Sequence, residues 1–313
     1  MILGEDVFTV LKNESEFSEK SISSHWIEYL KDFKYENGEF SGKGLPEGGG
    51  GRRSLLNRGI QHIFQTPFRR LGKPFIEFET ILKCANKVHQ ERNTSLQLGS
   101  LRQVLSLAFL QQNRIFEHLS EPVIIIGDGF GIMASLLLSY LAKSSIKVVV
   151  VNLTQNLLID AVFIKKSIPA VTICLVKDNE AYHEALIDSG INVICIQADN
   201  SKLISIAPIG LAINIASMQE MNPIVTKEYF DFIRASSNKK TLFYCVNRIE
   251  KTLPDGTVSD FFNYPWHQND QILVDELCPW HQYYYNPMRF PFYFQYDGPH
   301  QHRLVEMYKK KGN

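Results

Sequence analysis

Val123-Ile124-Ile125-Ile126 runs without a polar residue into Gly127-Asp128-Gly129-Phe130-Gly131, and an apolar stretch from Ile132 to Leu141 follows. Apolar β-branched residues, then glycines at alternate positions, then a longer apolar segment predict a buried parallel strand, a tight turn and a helix packed on the sheet. Glycines in such a turn permit unusual backbone angles and let a ligand approach the main chain closely. The start of the following helix offers free N–H groups to a polar or anionic ligand. The spacing narrows the choice of ligand. A dinucleotide fingerprint reads G-x-G-x-x-G/A, and counted from Gly127 its last small residue falls on the large Ile132. Counted from Gly129 the pattern also breaks at Ile132.

The chain has 313 residues, 44% of them hydrophobic, which suffices for one large domain or two modest ones with a real core. Lys+Arg and Asp+Glu balance at 33 each, so no global bias toward nucleic acid or an anionic membrane is expected. The five cysteines, Cys84, Cys174, Cys195, Cys245 and Cys278, are scattered and show neither a disulfide framework nor zinc spacing. Met1 to Val10 carries Glu5 and Asp6 and lacks a basic segment before a long apolar run, so it does not read as a signal peptide. No uninterrupted apolar stretch reaches the roughly 18 residues of a membrane span. A reducing cytoplasm is the expected compartment.

Residues 1–119 read as an N-terminal helical or lid region. Met1 to about Phe40 is polar and mixed, with a short amphipathic candidate around His25 to Phe33. The segment 42–53 is Gly-rich, includes the run Gly48 to Gly51 and ends in Arg52-Arg53. It reads as a flexible loop, either a linker or a mobile lid whose arginines meet an anionic group. Helical spacing follows in Phe75 to Leu82 and in Leu96 to Leu119. Residues 120–313 alternate strands and helices, which predicts a Rossmann-like α/β domain with a mostly parallel sheet covered on both faces. The strands expected after the first are Lys147–Val151, Val171–Val176, Val193–Gln197, Leu211–Ile215 and Thr241–Val246. One strand–helix unit is in excess, and Val193–Gln197 is preferred as the third strand because Asp199 then falls just after it. The aromatic, proline-containing segment Gln282–Tyr296 is expected to supply antiparallel end strands. His300 and His302, near Asp297-Gly298-Pro299, read as a turn before a terminal helix.

In open α/β sheets ligands bind at the carboxyl ends of strands near the switch point, which ranks the polar candidates. Gly127, Asp128, Gly129 and Gly131 follow the first strand, Asn152 the second, and Asp199 with Asn200 the presumed third. Glu220 lies in Asn214-Ile215-Ala216-Ser217-Met218-Gln219-Glu220-Met221-Asn222 after Leu211–Ile215, and Arg248 ends the strand after that. Glu220 is a candidate general base or substrate anchor, with capping of the helix near Pro223 as its plainer role. Arg248 has the geometry to hold a carboxylate or phosphate by paired hydrogen bonds. Pro265-Trp266-His267-Gln268 recurs as Pro279-Trp280-His281-Gln282. Each copy sets an imidazole, able to take a hydroxyl proton, beside an indole whose face suits a sugar ring; aromatic packing is the plainer reading. No carboxylate spacing accompanies the histidines, so no metal site is expected.

The G-x-G-x-G pattern resembles the first motif of class I S-adenosylmethionine (SAM) methyltransferases. Asn214 to Met221, Tyr244-Cys245-Val246-Asn247-Arg248 and the Trp/His/Tyr-rich C-terminal part extend the likeness. From about Gly51 to its end the chain resembles the sugar O-methyltransferase family of bacterial polysaccharide and natural-product clusters. The resemblance implies SAM as cofactor, held by Gly127, Asp128, Gly129, Gly131, Asn152 and Asp199. Asn152 stands where class I enzymes usually carry an acid for the ribose hydroxyls; an amide both donates and accepts there. It further implies methyl transfer to a hydroxyl of a sugar or glycan intermediate, with Glu220, His267 or His281 as base and Arg248, Trp266 and Trp280 on the acceptor. Two other readings compete: a methyltransferase-fold scaffold without activity, which Asn152 favours, and a nucleotide-cofactor oxidoreductase, which the glycine spacing disfavours. The expected partner is a small-molecule or glycan acceptor, with self-association into a homo-oligomer left open.

Overall fold

The computed structural model describes residues 1–15, 19–36, 38–41, 55–117, 119–142, 144–236 and 240–309. The Gly-rich loop expected at 42–53, with Arg52 and Arg53, lies outside the described residues. In chain order the strands are β1 (Ile2–Leu3), β2 (Lys34–Glu36), β3 (Glu39–Ser41), β4 (Val123–Ile126), β5 (Val148–Asn152), β6 (Ile173–Leu175), β7 (Val193–Gln197), β8 (Leu211–Ile215), β9 (Lys240–Arg248), β10 (Glu250–Thr252), β11 (Val258–Asp260), β12 (Gln271–Leu277), β13 (Tyr283–Tyr285), β14 (Tyr293–Gln295) and β15 (His300–Tyr308). The helices are α1 (Glu5–Glu14), α2 (Ser24–Tyr29), α3 (Leu55–Gly72), α4 (Phe78–Glu91), α5 (Leu98–Gln112), α6 (Ile132–Tyr140), α7 (Thr154–Ser167), α8 (Asn179–Ile187) and α9 (Pro223–Ser236).

Nine strands form one sheet in the order β1-β6-β7-β5-β4-β8-β9-β15-β12. Strands β4 to β9 run parallel, while β15 is antiparallel to both neighbours and β1 is antiparallel to β6. The chain is therefore α/β, Rossmann-like, mostly parallel with antiparallel end strands. The inner strands are dominated by apolar residues, chiefly Val and Ile, on both faces because helices cover both sides; every residue of β4 and β8 is buried. One face carries α4 to α7 over a core of Leu101, Leu105, Leu136, Leu157 and Ile164. The other carries α8 and α9 over Tyr182, Tyr229, Phe230 and Ile233.

The third strand of the ladder is Val193–Gln197, which pairs directly with β5 from Val148↔Val193 to Asn152↔Gln197. The surplus unit, β6, sits outside β7. Two expectations are corrected at the C-terminus. Gln282–Tyr296 forms the separate ribbon β13–β14, and the end strands of the main sheet are β12 and β15. His300 and His302 lie within a nine-residue strand rather than a turn, in register with β9 from His300↔Arg248 to Tyr308↔Lys240. Several polar residues of β15 are tolerated in the core because they find partners, although His300 Nδ1 and Arg303 Nε have none. Gln301 and Arg303 both donate to Asp275 of β12, and His302 Nδ1 meets the Tyr244 hydroxyl at 3.1 Å. At the other edge Ile2–Leu3 joins the sheet through β6, and α1 packs on α7, so the first residues belong to the sheet layer.

Candidate functional site

The chain leaves β4 to one side for β5, β7 and β6, then returns to β8 on the other side. The switch point is thus the gap beyond the carboxyl ends of β4 and β8, where open sheets bind ligands. Gly127, Gly129 and Gly131 all have positive φ there, at 72°, 63° and 58°. Their reasons differ. A Cβ on Gly127 would lie 2.0 Å from Ser217 Oγ, and one on Gly131 would lie 2.7 Å from the backbone oxygen of Asp160. Those two glycines are required by the protein's own packing. A Cβ on Gly129 would meet nothing within 4 Å, so its face is open to the cleft. Phe130 and Ala216, on the two sides of the gap, are also left-handed at 67° and 58°. Such strain in residues other than glycine gathers where a loop is held for a purpose other than stability.

The loop after β8 is held by a chain of buried amides. Asn214 donates to the Ile126 carbonyl, Asn247 donates to Asn214 Oδ1, and Asn247 Oδ1 accepts from the Gln219 amide. Gln219 Oε1 in turn accepts from the Arg248 amide at 2.7 Å. Asn214, Gln219 and Asn247 thereby fasten the ends of β4, β8 and β9 to one another and set the position of Ser217 and Glu220.

A cavity of about 150 Å³ lies against the glycine turn, with Trp26, Tyr29, Asn152, Asn156, Ser217 and Glu220 on its wall. A narrow slot of about 20 Å³ continues beside Leu153, Ala198, Val225 and Tyr229, and Trp26 borders both. The roof is an N-terminal strap, residues 19–30. It is fastened at several points: Asp199 accepts from the Lys20 and Ser21 amides and the Ser21 hydroxyl; Glu19 accepts from the Thr154 amide at the start of α7; Ser23 donates to the Glu220 carbonyl. Ile22, Trp26 and Leu30 rest on Leu153 and Ala198.

Beneath the turn lies a carboxylate pair. Asp128 accepts from the Met133 and Ala134 amides, both at 2.8 Å, and so caps α6 from inside. Asp160, fully buried, accepts from the Gly131 amide at 2.9 Å and the Asn152 side chain at 2.8 Å. Burial raises Asp128 to about 6 against its amide donors, and burial together with Asp128 raises Asp160 to about 8. Arg92 supplies positive charge nearby and donates to the Gly131 carbonyl and Ser135.

The sequence-derived candidates sort by place. Gly127, Asp128, Gly129, Asn152 and Glu220 line the cavity. Asp128 directs its carboxylate into α6, and Asn152 gives one N–H to Asp160 and accepts from the Leu153 amide. Gly131 turns the chain into α6, and Asp199 is engaged by the strap. Arg248 ends β9 outside the cavity wall, with its guanidinium 5.6 Å from the Tyr296 ring and 3.4 Å from Asp297. The tryptophan–histidine repeat is not brought together. Trp280 is 2% exposed, donates to Ser106 and packs against Phe75 and Phe109, so its indole offers no face to a sugar. Trp266 lies on the opposite face of the sheet, between Phe230 and the Arg303 guanidinium 4.5 Å from its ring. His281 is buried beside His300, and burial drives it well below the usual histidine range. His267 donates its amide to Asp270, and neither His267 nor His281 is on the cavity wall. Among the described residues no group of three or more His, Cys, Asp or Glu is arranged to hold a metal.

Sequence reasoning missed His25 and Lys251. Glu220 Oε1 accepts from Lys251 Nζ at 2.7 Å and faces His25 Nε2 at 3.6 Å. Burial lowers the His25 pKa against the pull of Glu220, and it stacks on Tyr29 with ring centroids 5.7 Å apart. Only the fold brings this trio together, since α2 and β10 flank Glu220 from distant parts of the chain.

No family model and no curated relative matches the chain. Among solved structures, one concerning conversion of a disulfide bond into a thioacetal group during echinomycin biosynthesis aligns at a TM-score of 0.40 and 10% identity, covering 66% of this chain and 82% of that one. TrmN from Thermus thermophilus aligns at 0.38 and 11% over 66% of this chain, which spans about half (48%) of TrmN. The glycopeptide N-methyltransferase MtfA aligns at 0.35 and 11%, covering 64% and 93% of the two chains. Likeness of this degree assigns no family. Among the described residues no helix is long and apolar enough to cross a membrane.

Proposed function

We propose that this chain is a SAM-dependent O-methyltransferase acting on a hydroxyl of a sugar or glycan intermediate. The observation that carries the reading is Gly129: a left-handed glycine at the switch point whose missing side chain leaves the cleft, not the protein, in front of it. The chemistry of the residues fits the cofactor. Gly127 and Gly129 present backbone to a ligand, Asn156 and the remaining N–H and lone pair of Asn152 suit hydroxyls, and Leu153, Ala198 and Tyr229 offer apolar and aromatic surface to a base once the slot beside them widens. When bound, SAM supplies an electrophilic methyl carbon. The protein's part is alignment and proton removal.

Glu220 is the candidate base nearest the open glycine face, and His25 is a second acceptor beside it. Lys251 holds the Glu220 carboxylate in place, while burial favours the neutral form of His25. The cavity is smaller than the roughly 300 Å³ of ordinary ligand pockets, so cofactor entry requires the strap with Trp26 to shift.

The test is titration calorimetry with S-adenosylhomocysteine on the wild type, on Gly129→Ala and on Gly256→Ala. Both glycines have positive φ, at 63° and 84°, and neither has a neighbour within 4 Å of a built Cβ, so the second variant controls for backbone strain. Binding lost only in Gly129→Ala supports the reading. Absence of binding by the wild type favours a scaffold without cofactor, for which the engagement of Asn152 with Asp160 is the supporting observation. Binding of NAD or NADP instead would favour the oxidoreductase.

A further inference from the structure

A second, larger cavity is remote from the glycine turn. It is a groove of about 790 Å³ between α3 and α4, and no residue lines both it and the cleft. Its volume lies in the range of small-molecule sites, roughly 300–1,000 Å³. Among the described residues that line it the charged ones are Arg69 from α3 and Lys83 and Lys87 from α4, with no aspartate or glutamate; Glu79, one turn before Lys83, lies off the wall and acts on Arg69. Lys83 and Lys87 are exposed and four residues apart, so they stand on one helix face with Cβ atoms about 5–6 Å apart. Neither has an ion-pair partner among the described residues.

Two further observations mark the groove as a site rather than a solvated cationic face. Ser95, 2% exposed, lines the groove and its Oγ has no hydrogen-bond partner. Arg69 gives Nη2 to Gln65, but its Nε is buried with no acceptor. Unpaired buried donors are uncommon and call for a ligand, ion or water. Asn86 adds an exposed amide on the same helix, able to donate to and accept from hydroxyls.

We propose that the α3–α4 groove binds a small molecule bearing two linked anionic groups, of the diphosphate class. Two ammonium groups one helical turn apart match two adjacent charges, and the Arg69 guanidinium on the α3 wall adds a third positive charge. The site stands apart from the cleft and does not depend on the activity proposed for it.

The probe is inorganic pyrophosphate, titrated into the full chain at low and at high salt. The variants are Lys83→Glu/Lys87→Glu and, as a charge-matched control, Lys202→Glu/Lys227→Glu, whose lysines lie outside the groove. Wild type and control are expected to bind, with affinity falling as salt rises, and the groove variant to bind about tenfold or more weakly. The substituted lysines of the groove are exposed, and an unchanged urea midpoint will show that the variant is folded. Failure of the wild type to bind, or equal loss in both variants, overturns the proposal.

Discussion

Asn152 ends β5 at the rim of the cleft, and its neighbour explains the amide. Asp160 lies 2.8 Å away, fully buried, with burial and Asp128 already raising its pKa to about 8. An aspartate at 152 would replace a donor by a second acceptor in a place where both cannot ionise cheaply. Asn152→Asp is therefore expected to destabilise the fold by about 1–3 kcal/mol once the pH is above about 8, where Asp160 no longer holds a proton to share. The loss should shrink as pH falls through that value, because a shared proton restores the missing hydrogen bond. Urea unfolding across pH checks this; a variant as stable as wild type above about pH 8 would mean that Asp160 is not the constraint. The glycines teach a similar lesson. Their spacing was legible at once, but the letter code does not distinguish Gly127 and Gly131, which the protein's own atoms crowd, from Gly129, which they do not.

The strap of residues 19–30 joins local chemistry to the behaviour of an element. Glu19 has its pKa raised to about 7, by burial first and Asp199 last, against the opposing Thr154 amide, and its Oε1 has no partner. Asp199 is held below the usual carboxylate range: burial pushes it up, but the Ser21 hydroxyl and the Lys20 and Ser21 amides outweigh that. Because the docked value of Glu19 lies above its ordinary 4.5, docking is strongest below that value and weakens as pH rises through about 7. Hydrogen exchange of the Ser21–Tyr29 amides should accelerate over this range beyond the intrinsic effect of pH, and Glu19→Gln should abolish the extra acceleration. Equal behaviour of variant and wild type would remove Glu19 as the cause. Strand β15 shows where element prediction failed. His300-Gln301-His302-Arg303 reads as polar turn, yet all four side chains are buried, because β9 and β12 supply ladder bonds and Asp275 and Tyr244 supply partners.

Long-range polar contacts tie the layers together. Arg102 of α5, 6% exposed, donates to the carbonyls of Trp280 and Tyr283 and to the Tyr296 hydroxyl. It joins the helical layer to the C-terminal segment carrying β13. Arg102→Ala leaves those carbonyls unpaired and is expected to cost about 2–4 kcal/mol. The β13–β14 ribbon should lose protection from proteolysis before the sheet does. A midpoint within error of the wild type would show that the aromatic packing around Trp280 suffices alone.

Strand and helix order from Val123 to Val246 was legible because hydrophobic periodicity is local: an inner parallel strand must be apolar on both faces wherever it lies, so its letters suffice. The same holds for the turn after β4 and for Val193–Gln197 as the inner partner of β5. Polar commitments are not local. Asp199 meets Lys20 across 179 residues of chain, and Glu220 meets Lys251 and His25 from two other elements. Which carboxylates face the cleft, which are consumed as caps or clamps, and why the two tryptophan–histidine pairs are parted by the sheet depend on contacts that form only when distant segments are packed. The sequence by itself determined the α/β framework and the place of the cleft; the tertiary structure decided which side chains that cleft contains.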